Sequence, residues 1–322
     1  MESTKRIKVD IAAFAPILFL FLLLVVYSIF AKNFLGITNF INVIRQIAIT
    51  GIMAIGVTLV ILVGEIDLSI PTVMAFSGMI VAGLSKGEYF GLPEIPVGIG
   101  IVVVIVVGAM IGFVTGWANA ILGIPGFMAS LAMQFVCSGL MLMLTNAKPL
   151  FGLKSELTFL GSGYLFNGIP VIIVVFLVVF IVGLFVLKYT VFGRNLYAIG
   201  GNADAARMAG INVARNKIAA FIICSVLACI AGILMVGRIG SAQVTAGDGL
   251  QMQPIAGAVL GGASLFGGKG TMLGTLLGVL IMGVLVNGLN LLGAGTEIQK
   301  LVTGLILFVA VAFNIWSARK AG

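Results

Sequence analysis

The sequence predicts an all-α integral membrane protein, a class indicated by its composition, its long apolar runs and the placement of its basic residues. Of the 322 residues, 61% are hydrophobic and only 9% are charged, whereas roughly 25% of an average soluble domain is charged. Runs such as 11–31 and 171–187 are apolar without the strand-like alternation of a membrane β-barrel. We therefore expect one membrane permease domain that covers residues 1–322.

Ten apolar segments are candidates for membrane-crossing helices, because a crossing takes about 20 residues. No stretch between them is long enough for a separate soluble domain such as an ATPase. An even number of crossings also places both termini on the same side of the membrane. The segments lie at 11–31, 43–63, 71–86, 97–119, 125–145, 169–188, 218–238, 252–265, 271–292 and 297–316.

Lysine and arginine set the orientation of these helices, because positively charged loops stay in the cytoplasm. With both termini cytoplasmic, eleven basic residues fall inside and seven fall outside, and the three densest clusters are all inside. We therefore predict cytoplasmic termini. The same distribution excludes nucleic-acid binding, since the basic residues lie between apolar segments and not on one soluble face.

Loop 189–217 is the longest predicted cytoplasmic loop, and it contains a short stretch of good helix formers at 203–208. The preceding Asn202 can cap this helix, and Gly210 can end it in a left-handed conformation. A solvated connector and a docking helix for a partner both fit this pattern. In the second case Ala206 is expected on the face that meets the partner. The candidate docking residues are Asn202, Ala203, Asp204, Ala205, Ala206, Arg207 and Gly210.

Glycines recur at every fourth residue in several predicted helices, a spacing that lets helix backbones approach closely in a membrane. We interpret this spacing as tight packing within the chain in preference to a subunit interface. The examples are Gly108 with Gly112 and Gly116, Gly257 with Gly261, and Gly274 with Gly278.

Residues 63–66 and 236–239 are similar in sequence, which suggests an internal repeat. The two copies stand five predicted helices apart, so they would lie in opposite orientations, as in the inverted repeats of many transporters. A competing echo, between 64–68 and 261–265, implies a different symmetry. The inverted repeat of two halves is therefore one of two open hypotheses.

Residues 262–271 superficially resemble a phosphate-binding loop. Ala263 stands where that motif needs its first glycine, and Gly270 stands where a Ser or Thr would reach magnesium. We therefore expect no nucleotide binding by this chain, and we interpret the segment as a glycine-rich break between two membrane helices.

Asp67 and Ser69 lie in the predicted turn between the second and third helices. A carboxylate within hydrocarbon would suggest ion or proton coupling. The favoured interpretation is that either side chain caps the third helix, whose first turn contains Pro71.

The predicted helices carry neutral polar residues but no charged residue near the middle of the bilayer, and the chain contains no histidine. A membrane hydrolase or a proton relay would lack its working groups, so we expect no catalytic residue and no metal site. Hydroxyl and amide groups suit a pathway for an uncharged, hydroxyl-rich solute, although part of them would bond between helices. The candidate pathway residues are Gln46, Thr50, Asn119, Gln134, Ser138, Asn146, Asn287 and Asn290.

Several blocks, in order from about residue 33 to the C-terminus, resemble the permease subunits of ribose-type ABC sugar importers. Two departures from that family's pattern leave the particular sugar open: Ile70-Pro71 replaces an expected Val-Gly, and Val244 replaces a common Pro. The matching blocks are 58–62 with 66–69, 193–194, 198–202, 205–207, 210–212, 241–243, 245–247, 264–271 and 287–293.

The resemblance implies a non-catalytic subunit in the bacterial inner membrane, with about ten helices and two copies around one pathway. It implies a cytoplasmic ATPase partner that uses ATP and magnesium, and a periplasmic or lipid-anchored sugar-binding protein. It also implies that the segment from Asn202 to Gly210 docks on the ATPase. Two alternatives stay open: a permease for another small polar solute such as a branched-chain amino acid, and a self-contained secondary carrier.

Overall fold

In a computed structural model, which describes residues 11–87, 93–165, 168–250 and 252–321, the chain folds almost entirely into α-helices. Four two-residue strands form two antiparallel pairs, β1 (Leu150–Phe151) with β4 (Ser241–Ala242) and β2 (Tyr164–Leu165) with β3 (Ile169–Pro170). The helices within the described ranges are α1 (Ile11–Phe30), α2 (Ile37–Leu62), α3 (Ile70–Lys86), α4 (Val97–Ala120), α5 (Gly126–Thr145), α6 (Ser155–Ser162), α7 (Val171–Tyr189), α8 (Val191–Gly201), α9 (Ala203–Met208), α10 (Val213–Ile239), α11 (Gln253–Leu260), α12 (Met272–Leu291) and α13 (Thr296–Ala321).

Six of the described helices are long and apolar enough to cross a membrane, namely α2, α4, α5, α7, α10 and α12. Two shorter apolar helices accompany them, α3 and the Pro16–Phe30 part of α1. The predicted all-α membrane class is therefore confirmed. The count of ten crossings stays a prediction, although each of the ten predicted segments overlaps a helix.

The predicted segment 252–265 is helical only over α11, so a crossing at this place would be completed by irregular backbone. α11 contains eight residues, which rise about 12 Å along a helix, less than half of a hydrocarbon core about 30 Å thick. Gly261 follows its last residue, and Gly262 has a left-handed φ of +90°. Because the flanking residues are also apolar or small, composition alone does not locate this end.

α2, α3 and α10 form the centre of the helix bundle. Every residue of α2 from Ile47 to Leu62 is buried, and so is nearly all of α3. Helices that are apolar on all sides are expected at such a central position. By contrast, α4, α5 and α7 are buried on one side only, and they turn large apolar side chains such as Phe135 and Phe185 outward.

The fourfold glycine spacing packs helices against each other within the chain, as predicted. A Cβ atom at Gly112 of α4 would lie 2.5 Å from the carbonyl oxygen of Phe221 and 2.6 Å from the Cα of Ile222, both in α10. Gly108 and Gly116 approach the same helix. α11 and α12 meet in the same way, with Gly257 against Gly278 and Gly261 against Gly274.

The connections between helices lie on two opposite faces of the bundle, which we name the α9 face and the α6 face after the short helix on each. On the α9 face, the connector 63–69 and the loop 261–271 are joined by a hydrogen bond from Gly268 N to Leu62 O, 3.0 Å. On the α6 face, β1 pairs with β4, and α6 packs across the end of α10. The echoing segments 63–66 and 236–239 therefore lie on opposite faces, as an inverted repeat requires, and the repeat itself stays a prediction.

We expect Gly112→Ala to destabilise the bundle, because its Cβ atom would meet backbone atoms of α10 that cannot rotate away. Overpacking of this kind costs about 1–3 kcal/mol, which would lower the thermal unfolding midpoint of the detergent-solubilised protein. The matched control is Gly98→Ala in the same helix, where no atom lies within 4 Å of the added Cβ. An unchanged midpoint for Gly112→Ala would contradict this account of α4–α10 packing.

Candidate functional site

The loop between α7 and α10 is a series of capped helices. A side chain precedes each helix and accepts a hydrogen bond from a backbone amide in its first turn: Thr190 for α8, Asn202 for α9 and Asn212 for α10. Such caps stabilise a helix by about 1 kcal/mol each. The predicted cap at Asn202 is confirmed, with distances of 3.0 and 2.9 Å to the amides of Asp204 and Ala205.

The end of α9 is also built as the sequence predicts. Gly210 has a φ of +82°, in the left-handed region that favours glycine. Its amide donates to the carbonyl of Arg207, and the next amide, that of Ile211, donates to the carbonyl of Ala206. Both ends of α9 are therefore fixed by hydrogen bonds within the loop.

The outward surface of α9 differs from the expected one. Ala206 is buried, with 4% of its surface exposed, and it packs into the core of the chain, so the expectation that it faces a partner is wrong. The outward surface carries Met208, which is 90% exposed, and an ion pair between Asp204 and Arg207 at 2.7 Å. Sequence analysis omitted Met208, because the loop contains several other apolar residues and no pattern in it shows which of them is exposed.

α8 fastens this loop to two other segments of the α9 face. A Cβ atom at Gly200 would collide with the carbonyl oxygen of Leu62 and with Gly268 N, so only glycine fits there. The hydroxyl of Tyr197 donates to the carbonyl of Gly270 at 2.7 Å. Sequence analysis missed this junction, although the glycine pairs 200–201 and 267–268 were its signal.

The glycine-rich segment 262–271 is the predicted break between two helices, here α11 and α12. The amide of Gly268 already donates to Leu62 O, and the amide of Ser264 donates to Lys269 O. Those two amides are therefore engaged by the chain's own carbonyls and do not face an open phosphate-sized cradle.

The predicted capping of α3 by Asp67 or Ser69 is wrong. Asp67 Oδ1 accepts from the amide of Ser69 at 2.9 Å and from its hydroxyl at 2.6 Å, and Ser69 itself precedes the helix. The two side chains are hydrogen-bonded to each other, and neither accepts from an amide of α3. Pro71 does lie in the first turn, as expected.

Asp67 is otherwise a buried carboxyl group, since only 1% of its surface is exposed. Among the described residues, its Oδ2 has no hydrogen-bond partner. Burial raises the pKa of Asp67, and the two hydrogen bonds from Ser69 oppose that rise. This side chain orders the connector 63–69 through its Oδ1 alone.

The candidate pathway residues do not converge on one point. Asn287 exchanges two hydrogen bonds with Asn39 of α2, and Asn290 accepts one from Gln299 of α13, so these amides join helices. Asn119 donates to the carbonyl of Ile124 at the α9 face. The remaining candidates comprise a buried Thr50 on α2, partly exposed Gln46, Gln134 and Ser138, and an exposed Asn146 that ends α5 with a φ of +48°.

Comparison with known proteins gives consistent matches over nearly the whole chain. Residues 39–311 match the family described as branched-chain amino acid transport system / permease component. The chain is 41% identical to the ribose import permease protein RbsC of Bacillus subtilis (strain 168), over 96% of this chain and 95% of the relative. It is 38% identical to the RbsC protein of Escherichia coli (strain K12), over 91% and 90%.

A further relative has a different named sugar. The chain is 31% identical to the xylose transport system permease protein XylH of Haemophilus influenzae (strain ATCC 51907 / DSM 11121 / KW20 / Rd), over 89% of this chain and 91% of the relative. No solved structure gives a significant match.

We expect Gly210→Val to loosen α9, because a β-branched residue at a φ of +82° is strained by about 1–3 kcal/mol. Hydrogen–deuterium exchange of the amides in 203–211 should become faster. The matched control is Gly201→Ala, whose added Cβ has no atom within 4 Å and should leave exchange unchanged. Wild-type exchange in Gly210→Val would show that the left-handed turn does not hold the end of α9.

Proposed function

The chain belongs to the family of branched-chain amino acid transport system permease components, and from that we propose that it is the membrane subunit of an ATP-driven importer of a monosaccharide. A permease component of this kind is a multi-pass protein of the bacterial inner membrane. It is a non-catalytic transport subunit that works with an ABC ATPase and a substrate-binding protein.

The observation that carries the sugar assignment is 31–41% identity over most of the chain to permeases named for ribose and xylose. The chemistry of the spans supports it, because none of the six described spans contains Asp or Glu. A neutral solute passes such helices without charged partners, whereas a proton- or ion-coupled carrier needs them. The family description also names branched-chain amino acids, which makes those solutes the second candidate.

The ATPase is proposed to dock on α8 and α9, in the loop 189–217. Support comes from the rigid caps and the junction at Gly200, which make this loop a fixed surface, and from the exposed side chain of Met208. We propose that this chain binds no nucleotide and that the ATPase uses the ATP and magnesium. The engagement of the Gly268 amide by Leu62 supports that proposal.

We propose that two copies of the chain surround one pathway and that each has ten crossings with both termini cytoplasmic. The periplasmic or lipid-anchored binding protein is proposed to bind on the α6 face. α5 supports a second copy, because only six of its 20 residues are buried. Its partly exposed Gln134 and Ser138 stand one turn apart on the same side. Polar groups avoid bare lipid, so this side suits a subunit contact or a pathway. The inverted repeat remains part of the proposal.

The direct test is transport by a complex purified with the ATPase and binding protein encoded beside this chain. In proteoliposomes we expect ATP-dependent uptake of a pentose such as ribose, with no uptake of leucine. Native mass spectrometry of the same complex should give two copies of this chain. Leucine uptake without sugar uptake would favour the second candidate, and a mass with one copy would contradict the dimer.

We expect Met208→Asp to weaken binding of the ATPase. The substitution places a charge at the exposed end of α9, where a bound partner would remove water from that charge. An unpaired charge buried in this way costs several kcal/mol. Co-purification of the ATPase and ATP-dependent uptake should both fall. The control is Phe151→Asp, at an exposed apolar residue on the α6 face, which should keep the ATPase bound. Normal co-purification of Met208→Asp would place the docking surface elsewhere.

A further inference from the structure

The connector 63–69 between α2 and α3 contacts the start of α5 and also Lys217, the last residue of the loop 189–217. We propose that Glu65, in this connector, is the positioning residue through which a movement of the docking loop is passed to α5. The proposal rests on the proposed function, since it assumes that an ATPase moves that loop. It assigns a role to a carboxylate that neither the docking surface nor the candidate pathway includes.

The first link joins Glu65 to the far end of the docking loop. Lys217 Nζ lies 2.5 Å from Glu65 Oε1, and the two side chains are only 18% and 16% exposed. Lys217 is in the first turns of α10, directly after the cap at Asn212 that follows α9. A displacement of α9 therefore reaches Lys217 through a short, capped stretch of chain.

The second link joins the same carboxylate to α5. Glu65 Oε2 accepts a hydrogen bond of 2.9 Å from the amide of Gly126, the first residue of that helix. A side chain on residue 126 would collide with Glu65, because its Cβ would lie 2.6 Å from Oε2. One turn later, the hydroxyl of Ser130 accepts from the amide of Leu68 at 3.0 Å. The start of α5 is therefore tied to the connector at two points.

The near end of the docking loop reaches the connector as well. Gly200, at the end of α8, packs directly against the carbonyl of Leu62, the residue that ends α2 and leads into the connector. That contact is a close packing of two backbones, which resists compression but does not pull. Glu65 differs from it, because its carboxylate is shared between a flexible lysine and a helix amide. It is the contact able to convert a shift of α10 into a pull on α5.

α5 is the helix best suited to respond to such a pull. It is buried along one side only, whereas α2 from Ile47 onward and α3 are buried nearly throughout. Glu65 contacts its first residue, so a small displacement there tilts the whole helix. Gln134 and Ser138, two of the candidate pathway residues, lie two to three turns further along the same helix.

The test is the ratio of sugar transported to ATP hydrolysed by the reconstituted complex. Glu65→Gln keeps the size of the side chain and an oxygen that accepts from Gly126, but it removes the ion pair. Lys217→Gln removes the pair from the other side. We expect both variants to keep the ATPase bound and hydrolysing, while transport per ATP falls about fivefold or more, the lower range of ordinary coupling between sites.

Two controls separate coupling from general damage. Lys217→Arg retains the ion pair and should keep the wild-type ratio. Lys188→Gln removes the same charge from the exposed end of α7, on the same face, and should also leave the ratio unchanged. A wild-type ratio in Glu65→Gln and Lys217→Gln would overturn the proposal.

A fall of uptake and hydrolysis in equal proportion, at equal membrane yield, would also overturn it, since that is the result of a merely structural tie. The wild-type complex tests the proposed function separately. Failure of the unsubstituted complex to take up sugar with ATP would contradict the function itself and the coupling role with it. Sugar uptake by the wild type with an unchanged ratio in both variants would contradict the coupling role alone.

Discussion

The carbonyl oxygen of Leu62 is the point on which the arrangement of the α9 face depends. It ends α2, in which every residue from Ile47 to Leu62 is buried, so its position is fixed by the core. It accepts from Gly268 and lies against Gly200, so three distant segments of the chain meet at one backbone atom. Such an approach is open only to glycine, since any Cβ at residue 200 would occupy the space of the oxygen. The loop 189–217 is therefore positioned by backbone contacts.

A second constraint is that backbone polar groups at membrane depth must be paired inside the protein. The chain breaks its helices at 63–69 and after α10 at 240–250, and in both segments described backbone amides are paired inside the protein. In the first, the Ser130 hydroxyl and Asp67 accept from the free amides. In the second, successive turns pair amides with carbonyls three residues back. Gly247 of the second break packs on the carbonyl of Pro71, in the first turn of α3. Irregular backbone is thus placed against the start of a buried helix.

Sequence alone predicted the elements whose signals are local. Apolar runs located the long helices, the cap at Asn202 and the turn at Gly210 followed from residue type, and the fourfold glycines indicated close helix contacts. What sequence could not supply was the partner in three dimensions. The sequence placed Ala206 in a helix but did not show which side of that helix is buried. It also predicted that Asp67 caps α3, whereas Asp67 bonds to Ser69, two residues further along the chain.

The same limit applies to the elements that were missed. α11 ends at Leu260 although the chain remains apolar or small beyond it, because the end is set by Gly261 packing on Gly274 of α12. The pair of Glu65 and Lys217 joins residues 152 positions apart, a separation at which no local pattern exists. The glycine pairs 200–201 and 267–268 are evident in the sequence. The need for glycine at these positions arises from their contact with each other and with Leu62, which only the structure shows.

Acidic residues are absent from the six described spans but present in the connector between α2 and α3. The six described spans contain no acidic residue, so a neutral solute meets no fixed negative charge along them. The carboxylates of Glu65 and Asp67 lie instead in the connector at the α9 face, where one is paired and the other is ordered by Ser69. A partly buried ion pair holds one relative orientation of its two helices, because losing either partner leaves a charge poorly solvated. Glu65 and Asp67 thus lie outside the six spans, which contain basic residues such as Arg45 and Lys217 but no acidic one.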